Sequence, residues 1–230
     1  MDIDVVRGKT IQIVSNGQSY PAYLATPDAE GEKVPAIVLI HSFNGLEPGY
    51  KTLIDKMARE GFVVIAPEWQ TFTQTPRDEI IKQLISDSIA HLQNRTDVNT
   101  TKLGLTGFCA GGRFTMLFLP QIKEFKSGVA FYGFPYSGGP NNQSAPIEFA
   151  SQLSVPMFII HGMRDQASNV TDIYKYAQAL DSADKYFEMK IYQGQPHGFM
   201  IANGQLADSL AAKEAYEDMV EFFQNTLNSP

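Results

Sequence analysis

Cysteine is nearly absent from this sequence: of 230 residues, only Cys109 carries a thiol. A single cysteine excludes an intramolecular disulfide and any zinc cluster built from several thiolates, which leaves thiol reactivity or plain burial. Long apolar runs are missing as well. No stretch approaches the roughly 20 apolar residues that a membrane-spanning helix requires, and Met1-Asp2-Ile3-Asp4 carries acids where a secretory signal would carry lysines. A cytoplasmic protein with no membrane partner is the expectation. Positive charge is scarce too, with 18 Lys and Arg against 25 Asp and Glu and a net charge of −7. Without a basic stripe nothing can follow a phosphate backbone, so no nucleic-acid partner is expected. A chain of this length can bury one substantial core, and a single domain over residues 1–230 is expected.

What is present is a regular alternation. Lys9 to Val14 and Tyr20 to Thr26 alternate polar and apolar residues around Asn16-Gly17, the pattern of an antiparallel hairpin at a sheet edge. Short, nearly continuous apolar runs follow at Ala36 to Ile40, Phe62 to Ala66, Leu103 to Thr106, Gly128 to Tyr132 and Met157 to Ile160. Runs of this kind indicate strands covered on both faces, as in a parallel sheet. Between them, apolar residues recur at helical spacing at Leu53, Ile54, Met57 and Ala58, and at Ile80, Leu84, Ile85, Ile89 and Leu92. A last helix is expected from about Asp208 to Asn225, with Leu210, Ala211, Tyr216, Val220 and Phe223 as its core stripe. Strand and helix in alternation imply an α/β fold with a mostly parallel, twisted sheet and helices on both faces. Ligands on such sheets bind beyond the carboxyl ends of the strands. Phe134 to Ser154 is rich in Gly, Pro, Asn and Ser, and irregular connections of this length often line a site.

The chemistry concentrates at Gly107-Phe108-Cys109-Ala110-Gly111-Gly112, which joins the strand-like Leu103 to Thr106 to the helix-like Arg113 to Leu117. This is a strand, sharp turn and helix with glycines two positions either side of a nucleophile, the arrangement that holds a side chain out above a sheet. A helix N-terminus beneath Cys109 favours a negatively charged sulfur. A buried structural cysteine is the plainer alternative, but it does not require the flanking glycines.

A thiolate nucleophile needs a proton carrier. Of four histidines, His91 falls on a polar helix face, while His41 and His161 each close an apolar run, where a ring more often anchors backbone. His197 instead sits in Gln195-Pro196-His197-Gly198-Phe199, a loop following the strand-like Phe187 to Tyr192, and is the candidate base. Asp165, in His161-Gly162-Met163-Arg164-Asp165 after the run Met157 to Ile160, is the candidate orienting acid; Asp172 and Asp181 fit positions near a helix start and end. The order nucleophile, acid, histidine is that of the α/β-hydrolase fold. On that scaffold the oxyanion is met by backbone amides, here those of Ala110 and Phe43, the latter in the loop after Ala36 to Ile40.

These residues resemble the dienelactone hydrolase family, through the G-x-C-x-G-G elbow, the H-G-x-x-D acid loop and the histidine loop, over roughly Ala36 to Phe223. The resemblance implies an α/β-hydrolase fold without a large cap, a Cys109-His197-Asp165 triad, no cofactor or metal, and hydrolysis of lactones or small esters. The match departs from the family where substrate is chosen. Ser42 stands where the family loop carries a glutamate beside the resting thiol, and Ile201 stands where an arginine holds a dienelactone carboxylate. The first leaves thiol activation to His197; the second, with no arginine in Glu68-Trp69-Gln70 after Pro67, tells against a carboxylated dienelactone. Ser42, Trp69, Tyr136 and Phe199, with Phe43, are the expected lining of a substrate pocket; aromatics near strand ends also serve as simple core.

The expected activity is therefore cleavage of a small-molecule ester or lactone through a thioester. Alternatives are an acyltransferase using the same thioester, a non-catalytic binding member of the fold, and a dinucleotide-binding oxidoreductase. The last lacks G-x-G-x-x-G after its first parallel strand. Oligomeric state is not legible in the sequence.

Overall fold

Asn16 and Gly17, with φ of 52° and 72°, supply the left-handed two-residue turn that joins β1 (Lys9–Ser15) to β2 (Gln18–Ala25) in an antiparallel hairpin. The structure, a computed structural model, describes residues 7–29 and 31–228. Met1-Asp2-Ile3-Asp4, on which the N-terminal reading rests, lies outside them. No helix among the described residues is long and apolar enough to cross a membrane.

The apolar runs become β3 (Val34–Ile40), β4 (Val63–Pro67), β5 (Val98–Phe108), β6 (Phe125–Phe131) and β7 (Met157–Gly162), followed by β8 (Phe187–Tyr192). They form one eight-stranded sheet in the order β1-β2-β4-β3-β5-β6-β7-β8, in which β2 is antiparallel to both neighbours and every pair from β4 to β8 is parallel. Burial on both faces explains the uninterrupted hydrophobicity of the central strands. In β3, Ala36, Val38 and Ile40 belong to one core cluster while Ile37 and Leu39 belong to the other. The first cluster is covered by α2 (Asp78–Gln93), α3 (Ala110–Phe118) and α4 (Val170–Ser182), the second by α1 (Pro48–Arg59) and α5 (Leu210–Asn228). Each Leu or Ile taken fully from water contributes about 1.5–3 kcal/mol, so this two-sided burial dominates the stability of the sheet.

Three local expectations change. β5 begins at Val98 instead of Leu103, because Val98 pairs with Val34 across a register shift that polar Asn99-Thr100-Thr101 conceals from a hydrophobicity pattern. Phe134 to Ser154 contains a 3₁₀ helix, Pro146–Gln152, opened by a proline and by Glu148 reaching back to the Ala145 amide at 2.7 Å. In α5 the buried stripe runs through Ala212, Ala215, Tyr216, Met219, Val220, Phe222, Phe223 and Leu227, whereas Leu210, expected in the core, is 73% exposed at the first helical position, before the stripe reaches the sheet.

Candidate active site

Cys109 occupies the bend between β5 and α3 with φ 59° and ψ −114°, a conformation that costs a non-glycine residue about 1–3 kcal/mol. The strain is held in place from both sides: the Cys109 amide donates to the Phe131 carbonyl of β6 at 3.1 Å, and the Arg113 amide donates to the Cys109 carbonyl at 3.0 Å. The flanking glycines do a different job from the one the motif suggests. Neither Gly107 nor Gly111 has a positive φ; instead a Cβ on Gly107 would strike the Gly111 carbonyl, and one on Gly111 would strike the Ile40 carbonyl. They let α3 start pressed against the ends of β3 and β5, and the unusual dihedral falls on the cysteine itself.

The loops after β7 and β8 bring Asp165 and His197 to this bend. His197 Nδ1 lies 2.7 Å from Asp165 Oδ2, and Cys109 lies within electrostatic reach of the same imidazole. The second Asp165 oxygen, Oδ1, accepts the amides of Ala167 and Ser168 at 2.9 and 2.8 Å. Burial works against charge on Asp165, but the His197 bond and the Ser168 amide outweigh it and hold the carboxyl below its ordinary range. Burial likewise opposes charge on His197; the Asp165 bond and the neighbouring Cys109 prevail and push it up to about 9. His161 stays neutral because it is buried, donating Nε2–H to the Ser168 carbonyl at 2.8 Å and so bracing the acid loop. His41 is held down to about 4 by burial and bonds the Ser42 carbonyl through Nδ1 at 2.8 Å. Both are backbone anchors at strand ends, and His91 lies half-buried in α2.

Above Cys109 opens a cavity of about 330 Å³ lined by Ser42, Glu47, Tyr50, Tyr132, His197 and Ile201, among others. Ser42 is on this wall, whereas Phe43, Trp69, Tyr136 and Phe199 are not. Trp69 is buried, stacks on His41 at 5.2 Å and donates Nε1–H to the His41 carbonyl at 3.1 Å, which makes it a brace under the β3 loop. Phe199 turns inward after Gly198 (φ 73°) and packs on Tyr132 and Tyr192. Tyr136 lines a neighbouring cleft with Phe134, Gln166 and Asp172. Phe43, Trp69 and Ala110 share a small apolar niche beside the elbow. The Phe43 carbonyl accepts both Gln70 and Gln74 side-chain amides at 3.0 Å, which fixes that loop, while neither the Phe43 nor the Ala110 amide has a protein acceptor among the described residues. Among the described residues no three His, Cys, Asp or Glu side chains converge as a metal site.

The sequence profile of the Dienelactone hydrolase family matches residues 20–227, a span that contains every residue named in this site. The chain belongs to the dienelactone hydrolase family. It is accordingly an enzyme of the dienelactone hydrolase-like hydrolase type. A protein of Salmonella typhimurium named "Putative carboxymethylenebutenolidase" is 26% identical over 228 residues, covering 92% of this chain and 84% of that one. One of the same name from Aquifex aeolicus is 27% identical over 240 residues, covering 96% and 99%. The crystal structure of a "Putative Dienelactone Hydrolase" from Klebsiella pneumoniae superposes with a TM-score of 0.86 at 22% identity, covering 96% of this chain and 99% of that one, a likeness of fold.

Against this family background the residues that sequence reading missed are those of the cavity wall. Tyr50 and Glu47 belong to Glu47-Pro48-Gly49-Tyr50 at the start of α1, and a proline-opened helix directly after a strand-end loop is the signal that could have pointed to them. Tyr132 (φ 35°) directly follows β6; its ring lies 5.1 Å from that of His197, and its buried hydroxyl faces the Met200 amide out of good hydrogen-bonding geometry. Arg113, one turn after Cys109, grips Asp78 with two bonds of 2.9 and 2.7 Å and the Ser137 and Ser144 carbonyls, tying the irregular 134–145 segment to α3.

Proposed function

We propose that this family member hydrolyses small carboxylic esters or lactones through a thioester on Cys109, with His197 as proton carrier and Asp165 as its orienting anion. The observation that carries the reading is the hydrogen-bonded pair of His197 and Asp165 beside Cys109, with Cys109 and His197 lining a cavity of about 330 Å³. The names of its relatives support the substrate class.

With His197 pushed up to about 9, its ring carries a proton at neutral pH. The sulfur attacks the carbonyl carbon, and the amides of Ala110 and Phe43 hold the oxyanion. Collapse breaks the carbon–oxygen bond, and the departing alkoxide takes the imidazolium proton. Having given up its proton, the neutral ring is now a base for water. Hydroxide attacks the thioester, the thiolate leaves, and His197 keeps the proton, which restores the starting pair. Ester over amide follows from the leaving groups: thiolate departs more readily than an amine anion, so an amide adduct collapses backwards.

The test is turnover of p-nitrophenyl acetate with intact-mass detection of an acetyl adduct on the one cysteine. Wild-type protein should turn over and show the adduct transiently. Turnover that persists unchanged in Cys109→Ala would refute the mechanism.

A further inference from the structure

Part of the cavity wall away from Cys109 and His197 is built by the start of α1 and by the hairpin of β9 (Ile201–Ala202) and β10 (Gln205–Leu206). The two are tied together by the Gly49 amide, which donates to the Gly204 carbonyl at 2.8 Å. Glu47 leans across this junction: its Oε1 lies 3.6 Å from the position a Cβ on Gly204 would take. Although Glu47 is the residue that caps α1, its carboxylate makes no capping bond, and among the described residues it makes no side-chain hydrogen bond or ion pair. It is a half-buried acid at the rim of a reactive cavity with nothing bound to it.

The remaining lining offers it no counter-ion. Among the described residues no Lys or Arg lines the cavity; Ile201 stands on the same wall, and Asn44 and Asn203 contribute neutral amides. The charge of His197 is already met by Asp165 and Cys109. Tyr50 lies within electrostatic reach of both Glu47 and Cys109, so the field of the carboxylate extends to the group beside the nucleophile. An uncompensated anion in a partly desolvated space attracts cations and repels anions more strongly than it would in water.

We propose that Glu47 is a specificity-determining residue that selects esters carrying a positive charge, such as a primary or quaternary ammonium group, and rejects carboxylated ones. This rests on the ester-hydrolase reading and adds the substrate's charge to it. The ammonium group would sit in the cavity against Glu47 while the carbonyl reaches Cys109.

The experiment has two arms. In the first, the single thiol is labelled with two methanethiosulfonates of similar size, one bearing trimethylammonium and one bearing sulfonate, at low ionic strength and relative to a free small thiol. Wild-type protein should favour the cation; Glu47→Gln, an isosteric change, should lower the cation-to-anion rate ratio by about fivefold or more, and Glu47→Lys should invert it. A ratio that does not respond to these changes overturns the proposal. In the second arm, kcat/KM is compared for p-nitrophenyl esters with an ammonium or a carboxylate at the far end of the acyl chain, and the ratio should shift in the same direction. Hydrolysis that is indifferent to Glu47 sinks the specificity claim alone, whereas no hydrolysis of any ester sinks the enzymatic reading and the substrate claim with it.

Discussion

Asp165 divides its two oxygens between function and framework: Oδ2 lies 2.7 Å from His197 Nδ1, while Oδ1 accepts the amides of Ala167 and Ser168 at 2.9 and 2.8 Å. The backbone amides set the carboxylate's position before the histidine arrives, and the short bond to His197 then selects the ring's orientation and tautomer. An amide side chain in its place would retain the shape and lose the charge.

Asp165→Asn should therefore lower kcat/KM for p-nitrophenyl acetate by roughly 10²–10⁴-fold, since the carboxylate that orients the ring and keeps it protonated is lost. A variant within a factor of about three of wild type would remove Asp165 from the mechanism.

With His197 pushed up to about 9, kcat/KM should fall as pH rises through about 9, where the acid that protonates the leaving group is lost. In Asp165→Asn that limb should move towards neutral pH. A wild-type limb already near 6.5, the ordinary histidine value, would contradict the pairing.

The same pairing makes a stability prediction. A histidine held higher in the folded state than unfolded contributes stability that is complete below about 6.5 and is lost as pH rises through about 9. The contribution is on the order of 2–3 kcal/mol. Thermal melts of wild type and His197→Gln should differ most near pH ~6 and converge towards pH ~10; a difference that grows with pH would have the wrong sign.

Trp69 offers a check on the brace role. Trp69→Phe removes the donor to the His41 carbonyl, the 3.1 Å bond, and should cost about 1–2 kcal/mol in urea unfolding. If Trp69 bound substrate instead, KM would change and stability would not.

Gly111→Ala drives a methyl into the Ile40 carbonyl and should destabilise the fold by at least about 2–3 kcal/mol or prevent soluble expression. A stable Ala variant would mean that the elbow is looser than drawn.

Much of this protein was legible before any coordinates. Central strands buried on both faces must be apolar throughout, so β3, β4, β6 and β7 stood out in composition alone, and their alternation with amphipathic segments implied the parallel sheet. Asn16-Gly17 announced its hairpin because few other dipeptides tolerate two left-handed residues. Cys109, Asp165 and His197 were nominated because each sits in a loop just past a strand end, where sheet topology collects side chains. The polar start of β5 and the exposure of Leu210 were hidden, since strand pairing and helix phase are settled by neighbours distant in sequence.

By itself the sequence determined which residue could act as a nucleophile, which loops could meet it, and the parallel α/β plan, because these follow from periodicity, turn chemistry and chain order. Only the tertiary structure decided what surrounds the sulfur: aromatic rings near strand ends can face core or cavity, and packing sent Trp69 and Phe199 inward while bringing Tyr50, Tyr132 and Glu47 to the wall. Side-chain direction at a loop depends on contacts made across the fold, and no local pattern encodes it.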